Sequence, residues 1–350
     1  MNKTIDVNGF KIGGDLSYII ADIGSNHKQD LSLAKESIDA AAEAGADAVK
    51  FQSINLNKMY FNPDKNTADL VKRLEFPEDW HQILNEYCNE RGVVFFSSPT
   101  YMSSVDLLEE IDVPLYKLAS AQIGTFPQIV ERVANLNKPT IFSTGIANYD
   151  EVIKAVRIFE EAGNDKYMIL HCNSLYPAPP SIVNLPLMDT YKSMFNCPVG
   201  FSDHTDGIHI PLAAVACGAK IIEKHFTLDK KFNTPDSTSF AANPQEFKRL
   251  VDQTREVERS MIALKPRLDI HTDEEKFKNA ILYRAQLKRE LVEGEMVYYE
   301  DFNYLRSSRG LDARTVFYNR NLGVTKKQFN KGDIINEDDL MWNKKISQIK

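Results

Sequence analysis

The sequence predicts an α/β fold, a (β/α)8 TIM barrel followed by a small C-terminal β-rich unit, from three observations. Eight short apolar, β-rich runs, at residues 18–23, 48–52, 93–97, 115–118, 140–143, 168–172, 199–202 and 219–223, alternate with longer helical patterns. That alternation is the mark of successive βαβ units around a parallel sheet, and eight of them suit a closed barrel better than an open doubly wound sheet. The length of 350 residues exceeds the roughly 250 of a barrel and leaves room for one further small unit.

Alanines and leucines at helical spacing predict a helix over 31–44 that stops before Gly45, and 79–91 and 151–162 read the same way. The pattern over 244–264 is the closing helix after the eighth strand. The charged, proline-containing stretch that follows has no periodicity and reads as a linker. The expected organisation is a barrel over 1–265, a linker over 266–282 and a second unit over 283–350. In that unit Glu293-Gly294-Glu295-Met296-Val297 leads to Glu300-Asp301, and Lys331-Gly332-Asp333-Ile334-Ile335 leads to Glu337-Asp338. Either a compact β-domain uses two similar turns, or common surface turns coincide.

A hydrophobic fraction of 43% and a charged fraction of 26% are those of a soluble globular chain. No apolar run approaches the roughly 20 residues that span a bilayer, so no membrane association is expected. The first ten residues lack the basic and apolar segments of a secretory signal, and a cytoplasmic location is the expectation. Cys88, Cys172, Cys197 and Cys217 are far apart in apolar stretches, which predicts buried free thiols. A net charge of −7 argues against a nucleic-acid partner, while leaving room for a small anion met by a few pocket lysines.

Barrel active sites lie at the C-terminal strand ends, and polar residues stand there on nearly every strand. Lys50 and Lys117 follow apolar runs, where a lysine is costly unless it meets an anion or pairs with an acid such as Asp22. A ligand with a phosphate and a carboxylate would satisfy both lysines. Ser143-Thr144-Gly145, Ser120 and Ser202 offer compact donors for phosphate oxygens, or serve as turns and caps. His204 and His225 end adjacent strands and can converge on one divalent ion completed by water, or act as hydrogen-bonded core histidines. His81 and His271 read as surface residues.

Six motifs carry a resemblance. They are Ala21-Asp22-Ile23-Gly24-Ser25-Asn26-His27, Gly45-Ala46-Asp47-Ala48-Val49-Lys50-Phe51-Gln52, Ile141-Phe142-Ser143-Thr144-Gly145, Leu170-His171-Cys172 to Tyr176-Pro177, Gly200-Phe201-Ser202-Asp203-His204-Thr205 and Ile222-Glu223-Lys224-His225-Phe226-Thr227. In this order the chain resembles the nonulosonate (sialic acid) synthases, which make N-acetylneuraminate, legionaminate and pseudaminate. The resemblance implies condensation of phosphoenolpyruvate with the aldehyde of an N-acylated amino sugar, releasing phosphate. It implies catalytic Asp22, Lys50, Lys117, His204 and His225, the two histidines binding Mn2+, Mg2+ or Co2+. Phosphoenolpyruvate would lie against Lys50, Ser98, Lys117, Ser120, Ser143, Ser174 and Ser202, and the sugar against Asp22, Gln52, Tyr176, Asp236 and Arg306. The last part of the chain resembles the family's antifreeze-like (SAF) domain, which lends an arginine to the partner's site in a domain-swapped homodimer.

The chain departs from the family pattern at Asp22, where glutamate is usual, and at Ser120-Ala121-Gln122, where the third residue is usually glutamate. Arg306 lacks its usual following proline, and Arg309 is the alternative. Two other readings stand beside the synthase: condensation with another aldose or an aldose phosphate, which calls for a further basic cluster, and a sugar-binding relative without catalysis.

Overall fold

The computed structural model describes residues 3–232, 234–261 and 270–342. The chain divides into two compact units, residues 1–262 and 263–350.

The first unit is the expected barrel. Its strands are β1 (Tyr18–Gly24), β2 (Ala48–Ser53), β3 (Val94–Pro99), β4 (Tyr116–Leu118), β5 (Thr140–Ser143), β6 (Tyr167–Cys172), β7 (Val199–Asp203) and β8 (Ile221–His225). All pair in parallel in the order β3-β2-β1-β8-β7-β6-β5-β4, and β3 and β4 lie side by side to complete the ring. Nearly every strand residue is buried, because helices cover the outside and side chains fill the inside. The helix Leu31–Glu43 starts at Asp30, whose carboxylate accepts from Ser32 and Leu33 N–H, and gives way to Gly45 at φ +90°. Tyr149–Glu161 starts with a reciprocal Asn148–Glu151 cap. The closing helix runs Pro244–Met261; residues 262–264 of the predicted span lie outside the described residues.

Two-residue alternation sorts the barrel interior by height. Ile20, Ala48, Phe96, Leu115, Ile141 and Met168 form a dry lower layer with the N-terminal hairpin of Ile5–Val7 and Phe10–Ile12 packed into the same cluster. Two residues further along their strands stand Asp22, Lys50, Ser98, Lys117 and Ser143. Gly200 belongs to this stacking: a Cβ there would stand 2.3 Å from Ile221 O and 2.7 Å from the Leu170 side chain. A polar ring therefore rests on an apolar floor.

The second unit has its own core of Leu287, Leu291, Val297, Phe302 and Leu322, among others. Tyr283–Leu287 pairs antiparallel with Phe302–Arg306, and Met296–Tyr298, Asn321–Thr325 and Leu340–Met341 form a second sheet. The sequence repeat is structural. Leu291 and Phe329 exchange both backbone hydrogen bonds, Gly294 N donates to Thr325 O as Gly332 N does to Leu287 O, and Lys288 N donates to Asp301 O as Lys326 N does to Asp339 O. Each half reproduces the other's contacts.

Three expectations are corrected. The linker of 266–282 contains the helix Thr272–Ala280, with His271 and Glu274 capping each other; residues 266–269 lie outside the described residues. None of its residues is buried, so it leaves no hydrophobic period to read. His81 is buried, its Nδ1–H donating to Glu78 O (2.9 Å) and its Nε2 paired with Ser53 Oγ (2.8 Å). Cys217 is exposed, while Cys88, Cys172 and Cys197 are buried, and all four are free. Among the described residues no helix is long and apolar enough to cross a membrane.

Candidate active site

The C-terminal end of the barrel holds a buried cluster of four charged side chains. Lys50 Nζ lies 2.6 Å from Asp22 Oδ2 and 3.4 Å from Glu223 Oε1. Lys117 Nζ lies 3.2 Å from the same Glu223 oxygen, which also accepts from Ser202 Oγ at 2.9 Å. All four are 3% exposed or less, so only mutual pairing makes their burial tolerable. The pairing alternative for the lysines is met, since each has an acidic partner in the protein itself.

Burial and neighbouring charges divide the titrations. Burial raises the Asp22 carboxyl, although Lys50 and His225 oppose it. Glu223 is held down at about 2 against its burial by Lys117 and Lys50. Burial would lower the Lys50 ammonium, but Asp22 and Glu223 keep it above its ordinary value. Lys117 falls below its ordinary value through burial, Glu223 only partly offsetting this, with Lys50's charge adding to the fall.

Around this cluster several polar atoms have no hydrogen-bond partner in the protein. They are Ser98 Oγ, Ser143 Oγ, Asp22 Oδ1 and Glu223 Oε2, all buried. Such atoms are rare because each costs about 1–3 kcal/mol, and their concentration marks a ligand site. Ser120 Oγ and Ser174 Oγ are 3.2 Å apart on the same rim. They close over Gly145, where a Cβ would stand 2.4 Å from Ser174 Oγ and 2.5 Å from Ser120 Oγ. Only glycine leaves that cradle open.

His204 and His225 meet on the β7–β8 side, ring centres 5.2 Å apart. His204 Nδ1–H donates to Asn173 O (2.7 Å), which leaves Nε2 with its lone pair. Burial and His225 push its pKa to about 3, so the ring is neutral and ready to ligate. His225 Nε2 is 3.5 Å from Asp22 Oδ2 and its Nδ1 3.5 Å from Asp236 Oδ1. Asp236 is fixed in turn by Ser25, whose N–H and Oγ–H donate to Oδ2 at 2.8 and 2.6 Å. Tyr176 lies over His204 with ring centres 4.2 Å apart, and Phe240 packs against both histidines.

Among the described residues no three His, Cys, Asp or Glu form a ready cage for a metal ion. Two imidazoles with unpartnered carboxylate oxygens nearby nonetheless fit an open divalent site whose other positions go to water and substrate. Of the residues singled out from the sequence, Asp22, Lys50, Ser98, Lys117, Ser120, Ser143, Ser174, Ser202, His204, His225, Tyr176 and Asp236 come together at this end of the barrel. Gln52 pairs in register with Ser98 on the same face. His171 and Ser97, on the other face of their strands, point into the helical layer, His171 to Val183 O and Ser97 to Ser53 Oγ. Arg306 stands in the second unit, exposed beside the Tyr283 ring. Glu223 enters the sequence reading only within the motif Ile222 to Thr227; its two-residue spacing from His225, which puts both on the inner face, is the signal that assigns it.

The chain and its fold have known counterparts. The NeuB family model matches residues 37–265. The N,N'-diacetyllegionaminic acid synthase of Campylobacter jejuni is 36% identical over 336 residues, 91% of this chain and 98% of that protein. The pseudaminic acid synthase of the same organism is 35% identical, covering 92% and 96%. The crystal structure of a sialic acid synthetase from Leptospira borgpetersenii, in complex with citrate, superposes with a TM-score of 0.73 at 36% identity, covering 79% of this chain and 96% of that one. With matches of this extent and a barrel of this form, the chain belongs to the NeuB family.

Proposed function

We propose that this enzyme condenses phosphoenolpyruvate with an open-chain N-acylated aminohexose, giving a nonulosonic acid and inorganic phosphate. The observation that carries the reading is the Lys50–Glu223–Lys117 cluster beside the unpartnered hydroxyls of Ser98 and Ser143. Two buried ammonium groups and free donors suit the carboxylate and phosphate of phosphoenolpyruvate. The glycine-opened rim of Ser120 and Ser174 completes the anion site. Gln52, Tyr176, Asp236 and Asp22 face the acceptor, with Asp22 Oδ1 free for a hydroxyl.

In the reaction C3 of phosphoenolpyruvate bonds to the aldehyde carbon, whose oxygen becomes a hydroxyl. Water adds to C2, its proton balancing the one taken up by the new hydroxyl, and the C2–O bond to phosphate breaks. Lys50 and Lys117 hold the anionic groups in place and offset the charge carried away by phosphate. His204 and His225 are the residues to hold a divalent ion, Mn2+ before Mg2+ or Co2+. When bound, such an ion supplies Lewis-acid polarisation of the aldehyde.

The second unit is proposed to be an antifreeze-like domain that brings Arg306 to the acceptor site of the other subunit in a domain-swapped homodimer. A cytoplasmic location belongs to the same reading. Its test is the product. Phosphoenolpyruvate, Mn2+ and a panel of N-acetylmannosamine and diacetamido-trideoxyhexoses should yield a nine-carbon acid by mass, abolished in His225→Ala; unchanged acceptors throughout would refute it.

A further inference from the structure

Behind the two histidines, on the opposite face of β7 and β8, lies a second pair of charges that the barrel mouth does not use. Asp203 precedes His204, Lys224 precedes His225, and the two are register partners across the strands. Two-residue alternation sends their side chains away from the barrel axis, where both are 1% exposed or less. Lys224 Nζ donates to Asp203 Oδ2 at 2.5 Å and to Thr205 O at 2.6 Å. Asp203 Oδ1 accepts from Thr205 N–H at 2.9 Å. One ammonium group on β8 thus grips the neighbouring chain on both sides of His204.

A buried ion pair is a poor source of stability, because taking both charges out of water offsets their attraction, and apolar residues of similar volume serve as well or better. What this pair supplies is direction. His204 stands one residue beyond the end of β7, where the ladder with β8 no longer fixes it. Apolar side chains could not hold the N–H and the carbonyl of Thr205, whereas the carboxylate takes the first and the ammonium the second. The carbonyls of the histidines themselves are held from elsewhere, His204 O by Ala178 N–H at 2.8 Å and His225 O by Ala242 N–H at 2.7 Å. Lys224 is the side chain that ties the two histidine-bearing segments to each other.

We infer that Lys224 and Asp203 are positioning residues for the divalent ion. By clamping the backbone on either side of His204 to β8, they set the spacing of the two imidazoles, whose ring centres are 5.2 Å apart. The inference rests on the reading of His204 and His225 as metal ligands.

The test is calorimetric titration of Mn2+ into the unaltered protein and into the double variant Asp203→Asn with Lys224→Met, without sugar or phosphoenolpyruvate. Neutralising both partners together strands neither charge, and the asparagine keeps an acceptor for Thr205 N–H. The variant should keep its fold by circular dichroism and its affinity for phosphoenolpyruvate in EDTA, and should bind Mn2+ about tenfold more weakly. Unchanged Mn2+ affinity overturns the inference. An equal loss of phosphoenolpyruvate affinity also overturns it, by making the pair a general support of the barrel mouth. In the unaltered protein, hydrogen exchange at Thr205 N–H should slow on addition of Mn2+, because clamp and ion stabilise the same arrangement; unchanged exchange contradicts the coupling whether or not the variant folds. No uptake of Mn2+ by the unaltered protein overturns the metal reading itself, and this inference with it.

Discussion

Glu223 Oε1 takes two ammonium groups and a hydroxyl at once, so one carboxylate joins both buried lysines, with Asp22 the nearer partner of Lys50. Removing it strands buried lysines, a loss of about 3–5 kcal/mol in comparable pairs. Glu223→Gln should therefore unfold at a markedly lower denaturant midpoint, and phosphoenolpyruvate should restore more stability to the variant than to the unaltered protein. Equal ligand stabilisation of both would show that the anion does not reach the lysines. At Gly145 the limit is steric: alanine drives a methyl group into Ser120 and Ser174, and Gly145→Ala should raise the KM for phosphoenolpyruvate about tenfold or more, by steady-state kinetics. Lys50, Lys117, His204 and His225 were legible in sequence because charged or ligating residues at the ends of apolar runs are costly without a purpose. Glu223 was harder to assign, since a single acid beside Lys224 and His225 gives no hint of which neighbour it serves. Lys224 in fact points outward and pairs with Asp203 at 2.5 Å.

Strands β1 and β2 present their other face to the helical layer, where two histidines are buried neutral. His27 Nδ1 accepts from Gln29 N–H, its ring packs edge-on against Phe76 and Trp80, and burial lowers its pKa to about 4. His81, joined to Ser53 and through it to Ser97, is lowered for the same reason. A base with a folded-state pKa below its unfolded value contributes stability above about pH 6.5, and that contribution is lost as pH falls through 6.5 towards 4. For His27 the loss is on the order of 2–3 kcal/mol. Urea unfolding at pH 7.5 and pH 5 should show it, and His27→Asn, which keeps an acceptor for Gln29 N–H, should flatten the difference; an unchanged pH slope would contradict the assignment. The helix Trp80–Arg91 shows why His81 misled: it lies beside Trp80, Leu84 and Cys88 on the buried stripe, and its polarity outweighed its position in the pattern. Strands were legible as short apolar runs and the helices over 31–44, 151–162 and 244–264 from their period, whereas Thr272–Ala280 buries nothing and was not.

The barrel and the second unit each have a core, and the internal symmetry of the second was visible as a short glycine-centred repeat because both copies need the same turn, Gly294 at φ +79° and Gly332 at φ +92°. What sequence period cannot express is whether the second unit would serve its own barrel or that of a second copy. If Arg306 acts in trans, mixing unfolded Arg306→Ala and His225→Ala chains and refolding them together should recover about a quarter of the unaltered activity, since half the dimers are mixed and one of their two sites is whole. No recovery would place Arg306 in its own subunit's site, and Arg306→Ala chains active on their own would place it outside catalysis. The account as a whole turns on whether the polar ring above the apolar floor binds phosphoenolpyruvate for attack on an aldehyde. The most direct measurement is continuous phosphate release from phosphoenolpyruvate and Mn2+ on addition of an N-acylated aminohexose. The account predicts negligible release before the sugar is added and stoichiometric release afterwards, abolished in Lys117→Met; release independent of the sugar, or none with any such sugar, would contradict it.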